Sequence, residues 1–228
     1  MNNIFIITGT NRGLGKALVD LALTKENTVV VSLSRSLNEA HKLVEADKLL
    51  DIKVDLSEPF SPGMFNAIDK YVSASSRIYF FNNAGTILPI TNIGNLNGAD
   101  ISTSMKINVE FPVNFINLIV KKYSQNEFSI VNITTGAATK PVAYWSLYGA
   151  SKAYLQMFLK VLSEENIENS NLTIYNIDPG TIDTGMQSDI RNTVFPKQEY
   201  FQSLQQTDKL IKTEDAALKI FKQVNFEL

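Results

Sequence analysis

The segment Thr8-Gly9-Thr10-Asn11-Arg12-Gly13-Leu14-Gly15 is the strongest fold signal in the chain, because it follows the apolar run from Ile4 to Ile7 and opens a helical pattern. Glycines at such a turn let a pyrophosphate approach the backbone, and the helix N-terminus supplies unpaired N–H donors. The sequence therefore predicts a dinucleotide-binding loop formed by Gly9, Thr10, Asn11, Arg12, Gly13, Leu14 and Gly15. A tight strand-to-helix turn without a ligand is the alternative.

Short apolar runs alternate with helical patterns along the rest of the chain. The predicted strands cover residues 4–7, 29–33, 52–54, 78–81, 128–133 and 172–177, and the predicted helices cover 13–25, 37–49, 61–75, 99–124, 148–166 and 214–223. Strands that alternate with helices form a parallel sheet covered on both faces. We therefore predict one α/β domain over residues 1–228, a doubly wound Rossmann-type parallel sheet of about six strands with helices on both faces.

Composition and charge exclude several classes of protein. The formal net charge is −2 and no Lys/Arg cluster occurs, so neither nucleic acid nor a membrane surface is expected as a partner. There is no cysteine and only one histidine, which excludes disulfides, thiol nucleophiles and zinc clusters, and no metal site is expected. His41 lies in a polar segment and is expected at the surface. Met1-Asn2-Asn3 leads directly into an apolar strand, so we expect a cytoplasmic protein.

Residues 183–213 form the longest stretch without a regular pattern. This 183–213 segment shows no strand pattern and carries Gly185 and Pro196. Long irregular loops in compact domains commonly serve as active-site lids. We therefore expect the 183–213 segment to cover a substrate.

Tyr148 and Lys152 lie four positions apart in a predicted helix and so share one of its faces. An ammonium beside a phenol favours the phenolate, and this spacing predicts that Lys152 lowers the pKa of Tyr148 below its usual value of about 10. Such a phenol can donate a proton to a carbonyl oxygen. An ordinary buried helix face is the alternative, because apolar residues recur along the same stretch at Tyr154, Met157, Phe158 and Val161.

These motifs together resemble the short-chain dehydrogenase/reductase family. The glycine spacing, Asn82-Asn83-Ala84-Gly85, Asn108, the Tyr148–Lys152 pair and Pro179-Gly180 with Thr184 occur in the family's order over most of the chain. The resemblance implies that Asn83, Ala84 and Gly85 lie on the adenine side of a nicotinamide dinucleotide. It also implies that the nicotinamide side is bound by Tyr148, Lys152, Pro179, Gly180, Ile182 and Thr184.

The residues after the second predicted strand indicate which dinucleotide binds. A carboxylate there normally binds the ribose 2′-OH of NAD, but this chain reads Ser32-Leu33-Ser34-Arg35-Ser36. Because guanidinium groups suit phosphate oxygens, Ser34, Arg35 and Arg12 predict a preference for NADP(H). Ordinary solvated arginines are the alternative. Asp55-Leu56 resembles the family's adenine-contacting pair, although an aspartate before Leu-Ser could equally cap the next turn.

The resemblance also implies the chemistry. Tyr148 would protonate a carbonyl oxygen while hydride reaches the carbonyl carbon, Lys152 would hold the nicotinamide ribose, and Asn108 would anchor a proton-relay water. The family's catalytic serine is replaced here by Thr135. Threonine keeps the hydroxyl, and its methyl group narrows the space beside the carbonyl. We therefore expect retained activity with a more selective or slower reaction.

Two local stretches, 140–148 and 179–187, resemble sepiapterin reductases and bacterial benzil reductases. The resemblance implies a small-molecule substrate whose carbonyl adjoins another carbonyl or an aromatic system. Tyr144, Trp145 and Met186 would then be apolar walls of its pocket, beside Thr135, although Tyr144 or Trp145 could simply pack the helix entry. Sepiapterin reductases place a pterin-anchoring acid in a strand near the C-terminus. This sequence closes with Asn225-Phe226-Glu227-Leu228, so we expect neither the strand nor the acid, which favours benzil-type substrates over pterins.

The helix predicted over 99–124 is apolar nearly all round, which one sheet face cannot cover. Related reductases pair this helix and the Tyr148 helix across a two-fold axis, so a homodimer is expected, and Pro112 is expected to kink the helix. The sequence favours an NADPH-dependent carbonyl reductase. The alternatives are a non-catalytic NADP-binding sensor and an NADP-dependent alcohol dehydrogenase that works in the oxidative direction.

Overall fold

The sheet is parallel throughout, and its strand order is β3-β2-β1-β4-β5-β6. The computed structural model describes residues 2–168 and 171–226. Within these residues the strands are β1 (Asn3–Thr8), β2 (Thr28–Ser34), β3 (Leu49–Lys53), β4 (Arg77–Asn82), β5 (Glu127–Ile133) and β6 (Leu172–Ile177). This confirms the predicted doubly wound α/β fold with six strands.

Eight α-helices connect and cover the strands in the described residues. They are α1 (Gly13–Leu23), α2 (Phe65–Ile68), α3 (Gly98–Met105), α4 (Phe111–Lys122), α5 (Ser146–Glu165), α6 (Gly185–Asn192), α7 (Gln198–Gln206) and α8 (Thr213–Gln223). Helices α1 and α8 pack on one face of the sheet, while α2, α4 and α5 pack on the other. The sheet is therefore enclosed by helices on both sides.

Alternation along the strands explains the two apolar layers. In β1, Phe5 and Ile7 belong to the α1–α8 layer, whereas Ile4 and Ile6 belong to the opposite layer, and all four are fully buried. Successive side chains of a strand point to opposite faces, so a continuous apolar run supplies both cores. This is why the middle positions of β1 and β4 are all apolar or aromatic.

Buried asparagines link the carboxyl ends of three strands. The Asn82 amide on β4 donates to Asn132 on β5 over 2.9 Å, and the Asn132 amide donates to Asn176 on β6 over 2.8 Å. Asn82 and Asn132 are both buried. Each buried amide thus has a partner, and the ladder fixes the register of the strands next to the site.

Two predicted helices are wrong. The 37–49 region contains only a short 3₁₀ turn, Glu39–His41, before β3 begins at Leu49. The 61–75 region contains a 3₁₀ turn, Pro62–Met64, and the four-residue helix α2. In the first region, the Asn38 amide donates to the Asn11 carbonyl and the Asn38 side-chain oxygen accepts from the Ala40 N–H, and these bonds hold a turn that competes with a regular helix.

His41 is buried rather than exposed, so the prediction of a surface histidine is wrong. Its Nε2 lies 2.6 Å from Asp20 Oδ1 on α1, and Asp20 also accepts from Lys16 over 2.6 Å. The polar neighbours of His41 in sequence concealed this contact across the fold. His41 therefore attaches the loop after β2 to the first helix.

The helix predicted over 99–124 is formed by α3, a π-helical turn (Lys106–Glu110) and α4. Pro112 lies at the start of α4, directly after the wide turn, and lacks the N–H that a regular helix would use there. We expected a kink at Pro112. The structure has a π turn directly before Pro112, and Asn108 lies in that turn.

The 183–213 segment is largely helical, so the expectation of an irregular stretch is wrong. Helices α6 and α7 fill most of it, and Ile182 and Ile211 form an isolated bridge that closes its base. Each helix has few apolar residues in a polar background, such as Met186 and Ile190 on α6, which made the helical period hard to detect. None of the helices in the described ranges is long and apolar enough to span a bilayer.

Candidate active site

A cleft of about 890 Å³ opens at the carboxyl ends of the strands, where the order of the sheet reverses between β1 and β4. Most of the predicted site residues line it: Gly9, Asn11, Arg12, Gly13, Leu14, Gly15, Ser34, Arg35, Asp55, Leu56, Asn83, Ala84, Gly85, Thr135, Trp145, Tyr148, Lys152, Pro179, Gly180, Ile182, Thr184 and Met186. Thr10, Asn108 and Tyr144 do not line it. The structure thus brings nearly all of these positions to one crevice.

The glycine loop is shaped for close backbone approach. Gly9 has a φ of +72°, which favours glycine. A Cβ added at Gly15 would overlap the Gly9 carbonyl oxygen, so no side chain fits there. The loop ends at the N-terminus of α1, whose N–H groups face the cleft. This cradle fits the pyrophosphate of a dinucleotide.

Asn83 and Thr10 support the glycine loop from behind. The Asn83 amide donates to the Thr8 carbonyl over 2.8 Å, and the backbone N–H of Asn83 donates to the Thr8 hydroxyl over 3.0 Å. Thr10 is fully buried, and its hydroxyl lies 2.6 Å from that of Ser32. Thr10 therefore anchors the loop to β2 instead of facing a ligand.

The end of β2 carries the polar groups of the adenosine side. Arg35 is exposed and lines the cleft, while the Ser34 hydroxyl donates to the Ser36 carbonyl over 2.9 Å. The Asn11 amide also donates to the Ser36 carbonyl, over 2.9 Å. These contacts fix the loop that presents the Arg35 guanidinium.

Asp55 caps the turn that follows it, which is one of the two roles predicted for this residue. Its carboxylate accepts from the Ser57 N–H over 2.9 Å and from the Ser57 hydroxyl over 2.7 Å. These bonds lower the pKa of Asp55, burial opposes them in part, and the charge of Arg35 adds a smaller lowering effect. Because Asp55 also lines the cleft, capping does not exclude contact with a ligand.

Arg12 lies between the glycine loop and the 183–213 segment. A Cβ added at Gly185 would lie 3.4 Å from the centre of the Arg12 guanidinium, so the guanidinium packs over the first residue of α6. Arg12 therefore lies next to the 183–213 segment, on the substrate side of the cleft. Arg35 lies on the loop after β2, on the adenosine side.

Tyr148 is buried on α5 and lines the cleft. Burial raises the pKa of its phenol to about 12, the Asp178 carboxylate adds to the rise, and a hydrogen bond with Thr135 opposes it. The prediction of a lowered Tyr148 pKa is therefore wrong. Loss of solvent penalises the phenolate, and the spacing of residues along a helix cannot reveal that loss.

Lys152 lies beneath Tyr148. Its ammonium is 5.9 Å from the centre of the Tyr148 ring and donates to the Ile133 carbonyl over 2.8 Å. Burial lowers the pKa of Lys152 to about 8. The predicted proximity of phenol and ammonium is present, but the ammonium bonds to the end of β5 and not to the phenol oxygen.

Asn108 connects the π turn to the loop after β4. Its amide donates to the Thr86 carbonyl over 2.8 Å, and its carbonyl accepts from the Thr86 N–H over 2.9 Å. A Cβ added at Gly85 would lie 3.2 Å from Asn108 Oδ1 and 3.5 Å from Lys152 Nζ. Only a glycine separates Asn108 from Lys152, although Asn108 does not itself line the cleft.

Asp178 is a site residue that the sequence reasoning missed. It lines the cleft after β6, its Oδ1 accepts from the Gly180 N–H over 2.9 Å, and its charge acts on Tyr148. The sequence feature that could have identified Asp178 is its position directly before Pro179-Gly180. An acid before a Pro-Gly turn ordinarily indicates only turn chemistry, so its electrostatic role depends on the folded geometry.

The other end of the cleft is apolar and aromatic. Trp145 packs against Tyr148, Phe195 and Phe201, and Ile87, Ile190 and Met186 belong to the same cluster. Tyr144 has a φ of +73° and packs on this cluster without lining the cleft. Trp145 and Met186 thus lie where a substrate wall was predicted, and Tyr144 lies behind it.

The sequence from residue 3 to residue 194 matches the model of the short chain dehydrogenase family. This chain belongs to that family. Its members are oxidoreductases that interconvert carbonyl and hydroxyl groups with NAD(P)(H). The predicted family is therefore confirmed.

Two relatives and one solved structure show where in the family the chain lies. It is 30% identical to benzil reductase ((S)-benzoin forming) of Bacillus subtilis over 213 residues, 91% of this chain and 87% of that one. It is 27% identical to sepiapterin reductase of Xenopus tropicalis over 198 residues, 79% and 74% of the two chains. The crystal structure of the KRED1-Pglu enzyme superposes with a TM-score of 0.83 at 28% identity, covering 95% and 92%.

Proposed function

We propose that this protein is an NADPH-dependent carbonyl reductase that reduces a small ketone or dicarbonyl, with Tyr148 as the proton donor. The observation that carries this proposal is the buried phenol in the cleft, whose pKa of about 12 keeps it protonated at neutral pH. A protonated phenol can give its proton to a developing alkoxide. Similarity to benzil reductase supports a dicarbonyl or aryl ketone as the substrate.

A bound nicotinamide cofactor would supply the hydride. As the hydride adds to the carbonyl carbon, the π pair of the C=O bond would move to oxygen, and that oxygen would take the Tyr148 proton. The Thr135 hydroxyl, which lines the cleft and lowers the pKa of Tyr148, would donate to the same oxygen as charge develops. Lys152 and Asn108, on either side of Gly85, would return a proton to Tyr148.

The substitution Tyr148→Phe tests the proposed role of the phenol. We expect carbonyl reduction to fall by about 10²-fold or more, because the proton donor is lost while the ring still packs. NADPH oxidation with benzil as substrate measures the fall, and fluorescence titration with NADPH is the control for cofactor binding. Retained turnover in the variant would remove Tyr148 from the mechanism, and NADPH binding by a native protein without turnover on any ketone would favour the sensor alternative.

The preference for NADPH rests on Arg35. No acid follows β2 at this position, and the Arg35 guanidinium faces the cleft from a loop fixed by Asn11 and Ser34. A guanidinium can bind phosphate oxygens through two hydrogen bonds. We therefore propose that Arg35 binds the 2′-phosphate.

Arg35→Ala should weaken NADPH binding about tenfold or more and leave NADH binding within about twofold, because only the phosphate contact is lost. Dissociation constants for both dinucleotides measure this difference. Lys42→Ala is the matched control, since it removes a positive charge from the same loop outside the cleft lining. Equal loss of affinity for both dinucleotides would contradict the assignment.

We also propose that the protein acts as a homodimer, as expected from the sequence. Tyr154, Met157 and Val161 form an exposed apolar row on α5, and α3, which packs beside it, exposes Ile101 and Met105. Exposed apolar patches of this kind commonly mark interfaces. The cytoplasmic location stays a prediction.

A further inference from the structure

Two buried polar atoms in the lining of the substrate end of the cleft have no hydrogen-bond partner among the described residues. They are Trp145 Nε1 and Gln187 Oε1. Buried polar groups in proteins are nearly always paired, so two such atoms in the lining of one cleft indicate that the region is built to receive a polar ligand.

The indole nitrogen of Trp145 belongs to the ring that packs against Tyr148. The Trp145 ring lies edge-on to the Tyr148 ring, with 6.0 Å between the ring centres and an interplanar angle of 80°. Both rings line the cleft and lie one helical turn apart at the start of α5. A substrate whose reacting oxygen meets Tyr148 therefore has its adjacent atoms beside Trp145.

The indole N–H can only donate a hydrogen bond. A simple ketone has one acceptor oxygen, and the Tyr148 and Thr135 hydroxyls can donate the hydrogen bonds that this oxygen needs. A vicinal dicarbonyl brings a second acceptor oxygen on the neighbouring carbon, and a second donor is needed to bury it without loss. Trp145 Nε1 is such a donor, and no group in residues 2–168 or 171–226 accepts a hydrogen bond from it.

Aromatic rings of the 183–213 segment hold the Trp145 indole in place. Phe201 and Phe195 pack on the Trp145 ring with ring centres 5.3 and 6.1 Å away. The 183–213 segment and the unpaired donor thus lie at the same end of the cleft.

We propose that Trp145 Nε1 donates a hydrogen bond to the second carbonyl oxygen of a vicinal dicarbonyl substrate and thereby selects dicarbonyls over simple ketones. This inference rests on the carbonyl reductase function proposed above. It also explains how one carbonyl would be spared, because the oxygen held by Trp145 is kept away from the Tyr148 proton.

Benzil and deoxybenzoin test the inference, because they differ only in that a methylene replaces the second carbonyl. Trp145→Phe keeps an aromatic ring and removes the N–H. We expect the ratio of kcat/KM for benzil to kcat/KM for deoxybenzoin to fall about tenfold, as loss of one hydrogen bond predicts. Phe201→Leu is the control for pocket shape and should change both substrates alike. Equal changes in Trp145→Phe would overturn the inference and leave the reductase function intact.

A second measurement needs no variant, because Trp145 is the only tryptophan in the chain. The single indole N–H resonance of the native protein saturated with NADP⁺ is followed by nitrogen-15 NMR during titration with each ketone. Benzil should move the proton resonance downfield, as a new hydrogen bond does, and deoxybenzoin should move it much less. Equal shifts would overturn the inference. If the native protein reduces neither ketone, the proposed function fails, and this titration still decides whether Trp145 recognises the second oxygen.

Discussion

At Tyr148, two effects keep the proton on the phenol. Burial removes the water that would stabilise a phenolate, and the Asp178 carboxylate repels the negative charge, which together raise the pKa to about 12. Lys152 shows the opposite effect, because burial disfavours its ammonium and lowers its pKa to about 8. The cleft therefore holds a reliable proton donor above a lysine that can lose its proton in mildly alkaline solution.

The charge of Asp178 predicts a specific pH dependence. Asp178→Asn removes the repulsion while an amide oxygen can still accept from the Gly180 N–H. The Tyr148 pKa then falls, so the protonated phenol is lost at lower pH, and the alkaline decline of kcat/KM should move down by up to about one pH unit.

The pH profile of benzil reduction checks this prediction. Asp183→Asn is the control, since it makes the same change of charge on an exposed acid outside the cleft lining. An alkaline limb that stays in place or moves to higher pH in Asp178→Asn would show that Asp178 does not act on Tyr148.

At the scale of elements, the glycine loop between β1 and α1 leaves little room for added side chains. A Cβ at Gly15 would overlap the Gly9 carbonyl and approach the Asn83 amide, which supports the loop. Gly15→Ala should therefore displace the loop, weaken NADPH binding about tenfold or more and lower the melting temperature.

Gly98→Ala is the matched control for this substitution. Gly98 lies in the first turn of α3, and an added Cβ there has no neighbour within 4 Å. The control should leave NADPH affinity unchanged and the melting temperature unchanged or slightly higher. Normal NADPH affinity in Gly15→Ala would show that the backbone approach at this loop is not needed for the cofactor.

The strands were predictable because each is a short apolar run with clear boundaries. All six were predicted, and only β3 lies a few residues earlier than expected, at Leu49–Lys53. The helices predicted after β2 and β3 were wrong because local polar contacts, such as those of Asn38, and contacts across the fold, such as that of His41 with Asp20, decide those loops.

The members of the site were also largely predictable, since the motifs fix which residues end at one sheet edge. The electrostatic effects among these residues could not be predicted. The sign of the Tyr148 shift depends on burial and on Asp178, and the positions of Thr10 and Tyr144 outside the cleft lining depend on backbone turns that composition does not reveal.

At the scale of the whole molecule, the exposed row on α5 should determine assembly. Tyr154, Met157 and Val161 are each about half exposed or more, on a helix whose other side packs in the core. Burial of this row against a second copy would remove its apolar surface from water. The same helix carries Tyr148, so assembly and site share one element.

Met157→Glu should convert the proposed dimer into a monomer, because the substitution places a charge at the centre of the row. Light scattering after size-exclusion chromatography measures the mass. Leu43→Glu is the control, since Leu43 is an exposed leucine far from α5 in sequence and should leave the mass unchanged. A native protein that elutes as a monomer would contradict the proposal.

The central claim is that hydride from NADPH reaches a carbonyl carbon in this cleft while Tyr148 supplies the proton. Incubation of the native protein with benzil and NADPH deuterated at both C4 positions, followed by mass spectrometry and NMR of the product, tests it most directly. The account predicts benzoin with one deuterium on the carbinol carbon, and almost none of it from Tyr148→Phe. Benzoin without deuterium, or no hydroxyketone from any dicarbonyl tried, would contradict the account.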